Sequence, residues 1–263
     1  IETPSSFIHA SCGYDFTLLL DKGGQLWGFG SNKSGQLGTD DQQLLKPTLI
    51  TKTKGVPIIQ IATGGRHSLI LTSTGLILAS GSNSHGQLGI HGNQDSFEFR
   101  VVDSLSDIFF VKIAADSNTS AAIDENGCLY IWGGKFGSTP KLISLESKDF
   151  FVDVAVGSEN RITALTKDHR LFISGYYQDN GIQMTRFVEI VNAPFYHLVN
   201  GSNFVFALAA ADRPFLGIEQ NRHLRAQSST LQLSEKFFMS IYRQPRLEQI
   251  MRTIFSSINA LNG

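Results

Sequence analysis

Residues 9–38 read HASCGYDFTLLLDKGGQLWGFGSNKSGQLG and residues 60–89 read QIATGGRHSLILTSTGLILASGSNSHGQLG, so the chain states one pattern twice, 51 residues apart. Gly13 aligns with Gly64, Gly30 with Gly81, Asn32 with Asn83, Gly35 with Gly86 and Gly38 with Gly89, without a gap. Copies at such a period encode one supersecondary unit whose neighbours bury each other's apolar faces. Two weaker copies follow at residues 112–134 and 153–175, and a fifth begins at 196–212. The third keeps its turn glycine, Gly127, and a Trp132-Gly133 close. It lacks the Gly-Gln-Leu-Gly loop, which predicts a trimmed or reshaped loop there.

Within a copy, short apolar runs alternate with turn signals. Phe16 to Leu20 is followed by Asp21-Lys22-Gly23-Gly24 and then by Gln25 to Phe29. Ser68 to Thr72 precedes Ser73-Thr74-Gly75 and Leu76 to Gly81, and Ala121 to Ile123 precedes Asp124 to Gly127 and Cys128 to Trp132. Two β-rich runs split by a glycine-bearing turn predict a hairpin. Ile58 to Ala62 adds a third strand and Lys46 to Ile50 a fourth. Trp27 and Trp132 both fall in such strands. Several short strands at even spacing, with repeated Gly and aromatic residues, are the cues for propeller blades. The expected fold is therefore all-β, a β-propeller of four-stranded blades followed by a C-terminal α-helical segment.

The residues that carry this pattern resemble the regulator of chromosome condensation repeat family. The match lies in the opening Gly64-Gly65-Arg66-His67-Ser68, the apolar hairpin, the steps Gly30-Ser31-Asn32 and Gly81-Ser82-Asn83, and the two Gly-Gln-Leu-Gly loops. It covers residues 8–212. The resemblance implies a ring, usually of seven blades, with each repeat straddling two of them. At 263 residues the chain is too short for seven such repeats. Either blades are missing from it, or the ring is open, smaller or completed by another chain; an opening Ile1 in place of Met fits a fragment. The resemblance also implies that His67 points inward and bonds the neighbouring repeat's backbone. A plant ultraviolet-B photoreceptor of similar pattern carries a tryptophan where Gly65 stands here, so photoreception is not expected.

The domain reading is a repeat propeller over 1–217, with repeats near 8–50, 58–102, 110–145, 151–191 and a partial one at 195–216. A polar linker at 218–230 and a helical segment at 231–263 follow. In that segment Leu247, Ile250, Met251, Ile254, Phe255, Ile258 and Leu261 recur at three- and four-residue steps, the mark of an amphipathic helix. Pro245 sets its start and ends an earlier helix, Ser234 to Arg243. The pair packs on the propeller, begins a further domain or meets a partner. Propellers of the resembling family sit beside other modules, including exchange domains for Rho-type GTPases, but nothing in this segment matches such a module.

Composition excludes several function classes. A hydrophobic fraction of 41% supplies a core, and the 22 basic and 23 acidic residues nearly cancel. Bulk charge therefore offers no footprint for nucleic acid, whose binding rests on many Lys and Arg contacts to phosphate. The local cluster Arg213, Arg222, His223 and Arg225 reads as a solvated linker. The two cysteines, Cys12 and Cys128, make neither a disulfide framework nor a zinc spacing. No apolar run approaches the ~20 residues needed to cross a bilayer. Cytosolic or nuclear residence is the default.

No catalytic set, metal site or cofactor is expected. The seven histidines show no metal-ligand spacing, and Gly28-Phe29-Gly30 sits between strands instead of opening a helix as a phosphate loop must. Acidic pairs such as Asp124-Glu125 fall in turns. His67, Gly13, Gly30, Gly35, Gly38, Gly64, Gly81, Gly86, Gly89, Trp27 and Trp132 are read as the structural repeat motif. The expected contact surface is the pair of polar loop tips Asn32-Lys33-Ser34 and Asn83-Ser84-His85, since loops on rigid scaffolds carry binding. The expected function is a protein-binding propeller of a larger regulatory protein, linked to small GTPases. The alternative, which the resemblance implies, is a guanine-nucleotide exchange factor for Ran or a relative, acting by stabilising the nucleotide-free GTPase.

Overall fold

The structure is a computed structural model. It describes residues 6–143, 150–157, 161–179, 182–192, 195–200, 204–209 and 216–219. The expected helices at 231–263, and most of the 218–230 linker with its basic cluster, lie outside the described residues.

Five antiparallel sheets follow one another along the chain, each an up-and-down meander in sequence order. The first holds β1 (Phe7–Cys12), β2 (Phe16–Asp21), β3 (Leu26–Ser31) and β4 (Gln43–Leu49). The second holds β5 (Ile58–Thr63), β6 (His67–Thr72), β7 (Ile77–Gly81) and β8 (Ser96–Val101). The third holds β9 (Phe110–Asp116), β10 (Thr119–Asp124), β11 (Leu129–Gly133) and the short β12 (Lys141–Ile143). The fourth holds β13 (Phe151–Gly157), β14 (Arg161–Thr166), β15 (Arg170–Asp179) and β16 (Ile182–Asn192). A three-stranded fifth holds β17 (Phe195–Asn200), β18 (Phe204–Ala209) and β19 (Leu216–Glu219).

The first strands β1, β5, β9, β13 and β17 are neighbours in succession, which sets the sheets side by side around an axis as propeller blades. Each expected hairpin is present within a residue or two. The strand at 58–63 is the innermost of its own blade. β19 runs through Glu219, so the last sheet passes the expected linker start at residue 218.

Among the described residues, three apolar seams join the first four sheets. Leu18, Leu20, Leu26, Leu37 and Ile50 of the first sheet meet Ile61 and Ile70 of the second. Leu69, Leu71, Ile77 and Leu88 meet Ile113, Ala122 and Trp132 of the third. Ile123, Leu129 and Ile131 meet Val154, Ala164 and Phe172 of the fourth. Burying one such aliphatic or aromatic side chain contributes roughly 1.5–3 kcal/mol, so each seam is a strong coupling between neighbours.

Two motif features have direct physical causes. A Cβ at Gly64 would collide with the His67 ring, and one at Gly13 with the Phe16 ring at the same place in the first sheet. The opening glycine is therefore the space that a bulky first residue of the second strand occupies. The hairpin acids are turn acceptors: Asp21 Oδ1 accepts from the N–H groups of Gly23 and Gln25, and Asp124 Oδ1 from those of Asn126 and Cys128. Asp21 Oδ2 also accepts from Trp27 Nε1 at 2.9 Å.

Candidate functional site

The two Gly-Gln-Leu-Gly loops join the third and fourth strands of the first two sheets, at 32–42 and 82–95. Leu37 and Leu88 drive the loops inward, both fully buried in the seams. The backbone around them folds on side-chain amides. Asn32 Nδ2 donates to the carbonyls of Thr39 at 2.7 Å and Asp41 at 2.6 Å, and its Oδ1 accepts from Leu37 N–H at 2.7 Å. Asn83 repeats this with Gly92 at 2.7 Å and Leu88 at 3.0 Å. Gln36 and Gln87 accept from the N–H groups of Ser34 and His85. Gly35 (φ 85°) and Gly86 (φ 73°) lie flat against the next sheet, where a Cβ would strike the backbone of Ser96 and Ser138.

These facts correct the contact surface expected from sequence. Asn32 and Asn83 are 0% exposed, and their amides are used inside the loop. They build the tips and do not present themselves to a partner. Lys33, Ser84 and His85 are exposed and Ser34 is half-exposed, with Ser84 Oγ 3.0 Å from His85 Nδ1. The third sheet, as expected, replaces this loop by a single short turn at Gly134–Phe136.

His67 is structural and reaches into the neighbouring repeat, beside the Ser117 backbone and against a side chain. Its Nε2 lies 2.9 Å from Ser120 Oγ in the next sheet, and that hydroxyl donates to Gln87 O at 2.7 Å. With the hydroxyl proton so engaged, the imidazole N–H is the donor to Ser120 Oγ. Complete burial pushes the His67 pKa down to about 3. The unfolded chain binds the proton near pH 6.5 while the folded one stays neutral, so His67 favours folding above pH 6.5. That contribution drains away as pH falls from 6.5 toward 3, at no more than about 1.4 kcal/mol per pH unit. Replacing His67 with Phe, the type that stands at Phe16, is expected to flatten the urea-midpoint profile across that window. An unchanged slope would contradict the assignment.

The first strands enclose an open axial cavity of about 590 Å³. One register position supplies its ionisable and amide lining, His9, Gln60, Lys112 and Asp153, each just past a bulge in its strand pairing. Sequence reasoning missed this set, because the four residues share no chemistry and only the register shows that they are equivalent. Three of them clasp the next blade. Gln60 exchanges two hydrogen bonds with the Ile113 backbone, at 2.9 and 3.0 Å. Lys112 Nζ meets Asp153 Oδ1 at 2.9 Å, and Asp153 Oδ2 accepts from Leu198 N–H at 2.9 Å. Burial, with the Lys112 charge as a lesser cause, lowers the His9 pKa. The cavity's carboxylate is thus committed to holding strands.

Among the described residues, no group of three His, Cys, Asp or Glu side chains could hold a metal ion, and no helix is long and apolar enough to cross a membrane.

Residues 23–71 match the family model described as the regulator of chromosome condensation (RCC1) repeat, and residues 7–36 and 58–87 match a second model of that description. The 23–71 match starts in the β2–β3 turn and ends in β6, so the sequence unit straddles two sheets. The chain is 41% identical over 124 residues to the RCC1 domain-containing protein RUG3, mitochondrial, of Arabidopsis thaliana, covering 47% of this chain and 28% of that protein. It is 35% identical over 128 residues to the X-linked retinitis pigmentosa GTPase regulator of Homo sapiens, covering 48% of this chain and 12% of that protein. The chain thus spans less than a third of the length of either relative. Among solved structures, human WBSCR16 aligns with a TM-score of 0.69 at 20% identity, over 80% of this chain and 60% of that one, a likeness of fold.

Proposed function

We propose that this chain, which carries regulator of chromosome condensation repeats over residues 7–87, is a protein-binding propeller of a larger regulatory protein, working in a pathway that controls small GTPases. The observation that carries the reading is the loop pair. Two loops of one construction, rigid because Asn, Gln and Leu are used up inside them, hold short polar tips at Lys33-Ser34 and Ser84-His85. Preorganised tips bind without a large ordering cost. The cavity's carboxylate and its lysine are engaged in strand clasps, which favours binding over catalysis. A relative bearing the same repeats is named a GTPase regulator, and this supports the pathway.

The test is binding of a small-GTPase panel by titration calorimetry. Charge reversal at Lys33, or Ser84→Arg with His85→Glu, is expected to weaken the bound member about tenfold or more, as interface centres do. Thermal stability is expected to hold, because these side chains are exposed. Equal affinity in all variants would defeat the reading. The exchange-factor alternative separates in the same experiment: catalysed release of fluorescent nucleotide at micromolar protein would favour it, and binding without release would not.

A further inference from the structure

The junctions between neighbouring innermost strands are not equivalent. From β5 to β9, Gln60 Nε2 donates to the Ile113 carbonyl at 2.9 Å, and Gln60 Oε1 accepts from the Ile113 N–H at 3.0 Å. From β9 to β13, Lys112 Nζ meets Asp153 Oδ1 at 2.9 Å. From β13 to β17, Asp153 Oδ2 accepts from the Leu198 N–H at 2.9 Å. From β1 to β5 the same register position holds His9, and among the described residues it makes no hydrogen bond to β5. The two strands are joined further along instead, by the hydroxyls of Ser11 and Thr63 at 2.8 Å.

His9 thereby leaves a pair of backbone groups open. Ile61 stands on β5 where Ile113 stands on β9, two residues past the bulge residues Ile59 and Val111. Each pairs with its second strand at the same step, Ile61 with Ile70 and Ile113 with Ala122. In an antiparallel pair a residue bonds its partner through both backbone groups or through neither. Ile113 turns both groups to Gln60 and away from Ala122, so Ile61 turns its N–H and C=O away from Ile70, to the sheet's inner edge. That edge borders the axial cavity, and Ile61 is among its lining residues. An imidazole cannot close the pair as an amide does, because its two ring nitrogens point apart.

We infer that the axial cavity is a binding site for a small molecule bearing a primary carboxamide, held by the Ile61 N–H and C=O as the Gln60 amide is held by those of Ile113. A primary amide sets a donor and an acceptor side by side. The Gln60 clasp shows that a strand edge at this register receives both at ordinary hydrogen-bond lengths. A carboxylate does not fit, since an acceptor-only group would face the Ile61 carbonyl with no proton between them. A ketone makes one bond of the two. The volume of about 590 Å³ lies within the roughly 300–1,000 Å³ of small-molecule sites. Ile59 and Val111 line one end of the cavity and Ala62 and Ala114 the other, apolar walls for the body of the ligand. Ile59 and Val111 are 55% and 48% exposed, so a ligand has apolar surface to cover there. Burial lowers the pKa of His9, which therefore brings a neutral ring to the same cavity.

The test titrates the full chain with benzamide, benzoate and acetophenone while following backbone amide resonances. Benzamide is expected to bind at about millimolar strength, as small fragments do, and to shift the Ile61 amide while leaving the bonded Ile113 amide in place. Benzoate and acetophenone are expected to bind at least about tenfold more weakly, the effect of an unmet polar group. His9→Gln places an amide in the first junction. It is expected to clasp Ile61, abolish benzamide binding and raise the urea midpoint. His9→Ala leaves Ile61 open and is expected to keep benzamide binding. An Ile61 resonance unmoved by saturating benzamide overturns the inference, as does benzoate binding of equal strength. So does a His9→Gln variant that binds benzamide like the parent, or loss of binding in His9→Ala.

Discussion

Replacing Asp153 with alanine is expected to lower stability by about 3–5 kcal/mol, the cost of removing one partner from a buried charged pair. Its side chain is 5% exposed and joins three innermost strands. Oδ1 takes the Lys112 ammonium of β9 and the N–H of Val154, and Oδ2 takes the N–H of Leu198 on β17. Alanine therefore leaves a lysine without its counter-charge and a buried backbone N–H without an acceptor, and both costs fall on the axis where blades meet. Lys112→Met should cost a comparable amount, because it leaves the Asp153 carboxylate, 5% exposed, without its counter-charge. Asp153→Asn should cost less than either, keeping one acceptor and leaving only the more solvated lysine without its counter-charge. Urea titration checks the order, and an Asp153→Ala cost under about 1 kcal/mol would show the clasp to be incidental. Because blades couple through nearest neighbours, the damage should concentrate in the third to fifth sheets, and hydrogen exchange there should rise before that of the first two.

That clasp marks the limit of what the sequence disclosed. The hairpins were legible because each joins two apolar runs across a turn whose chemistry is local: Asp21 and Asp124 fold their own turns with hydrogen bonds spanning two and four residues. The opening glycines were legible as repeats, while their cause, the Phe16 and His67 rings, needed coordinates. Asn32 and Asn83 misled in a different way. A polar residue in a glycine-flanked loop reads as a solvated tip, and only the position of Leu37 and Leu88 in the seams shows that the loop turns inward and consumes its amides. The axial set was hidden twice over. A bulge near the start of each first strand shifts the alternation by one, and His9, Gln60, Lys112 and Asp153 look unrelated until the registers are laid side by side.

Truncating Trp132 to alanine is expected to cost at least about 3–5 kcal/mol, the range for emptying a large aromatic site in a packed core. Trp132 is fully buried in the seam between the second and third sheets, with Ile113 and Ala122 of its own sheet in the same cluster. Its Nε1 donates to Gln87 O at 2.9 Å, and Gly89 lies against its indole. The carbonyl keeps a second donor in Ser120 Oγ, so the loss is mainly of packing. Trp132→Phe keeps the larger part of the ring volume while removing the N–H and part of the indole, and should cost clearly less than the alanine variant. The first sheet offers the precedent, since Phe29 holds the same register position there. The seam also supports the second Gly-Gln-Leu-Gly loop through Leu88, so Trp132→Ala should weaken partner binding at Ser84-His85 while sparing the tip at Lys33. Denaturation curves with parallel titrations of the two tips measure both effects. Full stability in the alanine variant, or equal loss at both tips, would mean that the loops are not held by their seams.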